Sequence, residues 1–93
     1  MNELIDLSLL AESRSLLGTL LRRRGLTWFL AKESPQPLFS LEHGHVELVV
    51  RTAAAKLAHR GRAVHPKAAE HCRKEIRREL IRRVTGAMMR AGY

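Results

Sequence analysis

The side chains with the most versatile chemistry in this 93-residue chain are five histidines and one cysteine. His43 and His45 stand two apart, and His71 adjoins Cys72. A helix presents two metal ligands on one face when they are four apart, so neither pair is a ready-made site. Solvated or capping histidines are the expectation, with no metal and no other cofactor. Cys72 falls within a stripe of apolar residues, where a thiol behaves as a small buried hydrophobe and not as a nucleophile. Ser8, Ser13, Ser15, Ser34 and Ser40 sit in no catalytic frame, and no glycine-rich phosphate loop is present. The carboxylates fall on charged faces. No catalytic residue is assigned, and the expectation is a protein that is not an enzyme.

The basic residues carry more information. Seventeen Lys and Arg against nine Asp and Glu give a formal net charge of +8. Residues 1–50 hold five of the bases and six of the acids, while residues 51–93 hold twelve and three, so the second half alone is +9. A GC-rich genome would enrich arginine without selection for any partner, but it would not place the charge in one half. A segment this basic attracts polyanions. Lys56, Arg60, Arg62, Lys67, Arg73, Lys74, Arg77, Arg78, Arg82 and Arg83 are therefore the candidate contact residues for nucleic acid or for an acidic protein. Duplex DNA is preferred over RNA, because single-strand recognition recruits aromatics to stack on bases and the basic half has only Tyr93. In the alternative, an inhibitor or adaptor docks on an acidic partner, with Arg73, Arg77 and Arg83 as anchors beside an apolar seam. A regulatory role fits either reading.

These residues must be positioned by helices. Leu, Val, Ile and Ala dominate a hydrophobic fraction of 45%, and aromatics are only 4%, which suits helix packing better than a β-sandwich. Three segments are predicted: helices over about 3–24, 41–60 and 66–90, with a loop over 33–40. In the first, Ile5, Leu9, Leu10, Leu16, Leu17, Leu20 and Leu21 share a broad face, with Arg14, Ser15, Gly18 and Arg22 opposite. Arg22, Arg23 and Arg24 suit its negative C-terminal end, and Gly25 suits its cap. Thr27 to Ala31 reads as a short turn in which Trp28 and Phe29 plug the core, before Ser34-Pro35-Gln36-Pro37 breaks the helix.

In the second segment Val46, Val49, Val50, Ala53, Leu57 and Ala58 form a helical stripe ending at Gly61, although Val46 to Val50 also alternates like a short strand. The third starts at His65-Pro66 and carries Ala69, Cys72, Ile76, Leu80, Val84 and Ala87 along one narrow seam. Ala58, Gly61 and Val64 at the junction resemble, loosely and with non-standard spacing, the turn of a helix-turn-helix pair.

The fold expected is thus all-α: residues 1–93 as a single small three- to four-helix bundle with a long basic C-terminal helix. Its thin seam suits pairing with a second copy, so a homodimer is expected. The opening Met-Asn-Glu-Leu-Ile-Asp shows no basic signal region, no stretch is long enough to span a bilayer, and the lone cysteine suits a reducing compartment, so a cytoplasmic protein with no membrane partner is expected.

Overall fold

The computed structural model describes residues 4–24 and 37–90. They form three helices: α1 (Leu7–Arg24), α2 (Pro37–His59) and α3 (Pro66–Arg90). No strand occurs among the described residues, and Val46 to Val50 is helical throughout. The turn of Thr27 to Ala31, with Trp28 and Phe29, lies outside the described residues, as does Gly25.

Each helix boundary has a local chemical cause. Asp6 caps α1: its Oδ1 accepts the Leu9 N–H at 3.1 Å, and its carbonyl accepts the Leu10 N–H at 3.0 Å. At the end of α2 the Gly61 and Arg62 N–H groups donate back to the Ala58 and Leu57 carbonyls, at 2.9 Å each. This pair of reversed bonds requires a left-handed residue, and Gly61 supplies it with φ of 84°. His65 caps α3, its Nδ1 accepting the Lys67 N–H at 3.0 Å, with Pro66 in the first turn, where an amide proton is not needed.

α2 begins earlier than the sequence suggests. Residues 37–40 belong to the helix, and the loop expected over 33–40 does not extend through them. The reason is positional: Pro37 is the first helical residue, the one place where a fixed φ and a missing N–H favour a helix instead of breaking it.

The helices run up, down and up. Asp6 meets Arg62 and Glu12 meets Lys56, so α1 and α2 are antiparallel, while Ser13 meets Cys72 and Gly18 lies beside Arg83, so α1 and α3 are parallel. All three pack on one another. The shared core contains Leu9, Leu10, Leu17 and Leu21 of α1, Val46, Val49, Val50, Ala53 and Leu57 of α2, and Cys72, Ile76, Leu80 and Val84 of α3. Ile5 does not join it: it precedes α1 and is exposed, as are Leu4 and Leu7. Ala58, at the edge of the predicted α2 stripe, is also exposed, whereas Gly18, assigned to the outward face of α1, is buried.

One polar residue enters this core. Ser13 is fully buried, and its hydroxyl accepts the Cys72 thiol at 3.3 Å. Burial pushes the Cys72 thiol above its ordinary pKa, a rise only partly opposed by the Ser13 bond and the charge of Arg14. It is a neutral packing group joining α1 to α3.

Candidate anion-binding surface

The acids of α1 neutralise the bases around the α2–α3 turn. Glu12, largely buried, accepts Lys56 Nζ at 3.3 Å and faces Arg60 Nη1 at 3.6 Å. Asp6 accepts Arg62 Nη2 at 2.9 Å. Burial raises the Asp6 carboxyl, but the Leu9 N–H, the Arg62 hydrogen bond and charge, and the Ser8 N–H outweigh it and hold the pKa below its ordinary value. Glu47 lies between Arg51 at 3.7 Å and Arg73 at 3.8 Å. Along α3, Arg78 pairs with Glu75 at 2.8 Å and Arg83 with Glu79 at 3.0 Å.

The ten candidate cations therefore occupy different electrostatic settings. Lys56, Arg60 and Arg62 stand at the turn, each facing a carboxylate of α1. Lys67 is exposed in the first turn of α3, and Lys74 and Arg77 are exposed further along it. Arg73 is half-buried against α2. Two pairs of these ten meet in concave sites: Lys56 and Arg60 in a groove at the end of α2, and Arg82 and Arg83 between α1 and α3.

The second site is a groove of about 420 Å³ between the C-terminal parts of α1 and α3. Among the described residues its lining is Gly18, Leu21 and Arg22 from α1 with Arg82, Arg83, Gly86 and Arg90 from α3, with no acidic residue among them and Glu79 pairing with Arg83 at its edge. Because α1 and α3 are parallel, arginines near the end of each converge on one side of the molecule. Arg22 Nη2 donates to the Thr19 hydroxyl at 3.3 Å, and Glu79 holds Arg83 through Nε at 3.1 Å.

Two of the lining residues are glycines with guanidinium groups close beside them. A Cβ at Gly18 would stand 3.3 Å from Arg22 Nη1 and 3.9 Å from Arg83 Nη1, and one at Gly86 would stand 3.4 Å from Arg90 Nη1. Glycine inside a helix costs about 1 kcal/mol relative to alanine. Here it leaves bare backbone under an arginine at both positions.

Arg22 and Arg90 are not among the ten candidates: Arg22 reads as a cation suited to the C-terminal end of its helix, and nothing in the sequence joins Arg90 to it. The available signal was the pair of interior glycines, Gly18 and Gly86, in helices otherwise rich in good formers. Gly18 was instead placed on the outward face, where it carries no information.

Among the described residues, no three His, Cys, Asp or Glu side chains converge to hold a metal ion. No helix there is long and apolar enough to cross a membrane. Comparison with family models, curated proteins and solved structures finds no match to this chain.

Proposed function

We propose that this protein binds polyanions, duplex DNA foremost, through the outer face of α3 and the arginine groove at its C-terminal end. The observation that carries the reading is the groove itself: four arginines from two helices line it, and among the described residues only Glu79, at its edge, pairs with one of them. Guanidinium groups make charge-assisted, bidentate bonds to phosphate oxygens, and such contacts supply most of the affinity of sequence-independent binding.

The proposed surface differs from one centred on the α2–α3 turn. There, the ion pairs to Asp6 and Glu12 must be broken or shared before Lys56, Arg60 and Arg62 can serve phosphates. Exposed pairs are worth about 0–1 kcal/mol each, so the turn can contribute, but as a secondary contact. The groove is the primary one.

A second reading has its own observation. Met89, next to Arg90, is 73% exposed. A large apolar side chain beside arginines is the composition of a protein interface, so an acidic protein is the alternative partner. Fluorescence anisotropy with a labelled duplex of mixed sequence separates the two: direct binding of the purified chain supports DNA. Absence of binding even at about 50 mM salt, where electrostatic association is strong, rejects it.

A further inference from the structure

We infer that the arginine groove is a discrete site for one phosphate group of charge −2 or more, the chemistry shared by a diphosphate and by a terminal phosphomonoester. The inference rests on the reading of the groove as an anion site and adds the charge and stoichiometry of its ligand.

The charge of the ligand follows from what surrounds the groove. Arg22, Arg82, Arg83 and Arg90 contribute four positive charges. Glu79 offsets one at Arg83. The parallel arrangement brings the C-terminal ends of α1 and α3 to the same side, and each end carries about half a negative charge. About two positive charges are left over. A singly charged anion leaves the cluster half-neutralised, whereas a dianion closes it.

The geometry favours a tetrahedral oxyanion over a diffuse cloud of counterions. All four cations are arginines, whose planar forks bind two oxygens at once, where lysine would offer a point charge. Arg22 and Arg83 are held in advance by Thr19 and Glu79, so less side-chain freedom is lost when a ligand arrives. Gly18 and Gly86 present backbone without a side chain beside the guanidinium groups of Arg22 and Arg90. Leu21 closes the groove on its inner side.

The test is calorimetric titration of the full chain with inorganic diphosphate at about 50 mM salt, in parallel with two duplexes of one sequence that end in 5′-phosphate or 5′-hydroxyl. The expected result is one diphosphate per chain, with affinity at least tenfold weaker in Arg22→Lys/Arg83→Lys, which keeps the charge but loses the forks. Arg51→Gln, away from the groove, should bind as the parent does. Preference for the 5′-phosphorylated duplex identifies a nucleic-acid end as a source of the phosphate. Equal affinity for the two duplexes alongside one-site diphosphate binding identifies a small phosphate compound instead.

Several weakly bound diphosphates per chain, or one-site binding unchanged in the double lysine variant, overturns the inference. Duplex binding without diphosphate binding also overturns it while leaving the polyanion reading intact. Failure of both ligands removes both.

Discussion

Replacing Asp6 separates two contributions that converge on a single carboxylate. Its Oδ1 caps α1 through the Leu9 N–H and accepts Arg62 from the α2–α3 turn, with the side chain only 9% exposed. An N-cap is worth about 1 kcal/mol, and Asn caps as well as Asp. The Arg62 pair has one half-exposed partner, so solvent screening limits it to about 0.5 kcal/mol. Asp6→Ala should therefore destabilise by about 1.5 kcal/mol and Asp6→Asn by about 0.5 kcal/mol. For a domain of this size, 1 kcal/mol shifts Tm by about 4–8 °C, so thermal unfolding followed by circular dichroism resolves the two variants.

The pH dependence gives an independent check. The folded pKa of Asp6 lies below its ordinary value, so its charge stabilises the fold fully above the ordinary carboxylate range and progressively less as pH falls through it. The stability gap between the parent and Asp6→Asn should close on acidification. Equal destabilisation by Ala and Asn would contradict the division into cap and ion pair. So would a gap that does not narrow as the pH falls below the ordinary carboxylate range.

Three further expectations follow from other parts of the molecule. Gly61→Ala should cost about 1–2 kcal/mol purely through the left-handed backbone, since a Cβ there meets nothing within 4 Å, and Gly61→Asn should cost less. Equal losses in urea unfolding would argue against this origin. Cys72 should resist alkylation in the folded protein and react at a rate that tracks unfolding, and its raised pKa means that stability falls as pH rises past the ordinary thiol value. Rapid labelling under native conditions would place the thiol outside the core. Glu12→Gln should release Lys56 and Arg60, raise affinity for duplex DNA and steepen its salt dependence by up to about 0.9 for each phosphate gained. Unchanged binding would mean that the turn takes no part.

Much of the architecture was written in spacing and punctuation. The seam of Cys72, Ile76, Leu80 and Val84, the glycine stop at Gly61 and the cap at His65-Pro66 are local signals, and local physics decides them. Val46 to Val50 could not be resolved in that way, because β-branched residues suit either state. Its packing with Val49, Ala53 and Leu57 against two other helices settles it as helix. Pro37 reads as a breaker in the sequence because a proline that ends one element and a proline that begins another look alike without the boundary. The groove was only half visible. Arg82 and Arg83 stood out as charge, but their convergence with Arg22 and Arg90 depends on α1 and α3 running parallel, a property of the whole bundle. The same holds for the masking of the turn, since the partnership of Glu12 with Lys56 spans more than forty residues of chain.

On the proposed reading, phosphate binding is concentrated at the arginine groove. Its most direct test is the affinity for one duplex, measured across a series of salt concentrations, for the parent chain and for Arg22→Gln/Arg82→Gln/Arg83→Gln. Log affinity should fall linearly with log salt in the parent, and the variant should lose about 0.9 of slope for each groove phosphate contact removed. A variant with the parent's slope and affinity would place any polyanion contact outside the groove.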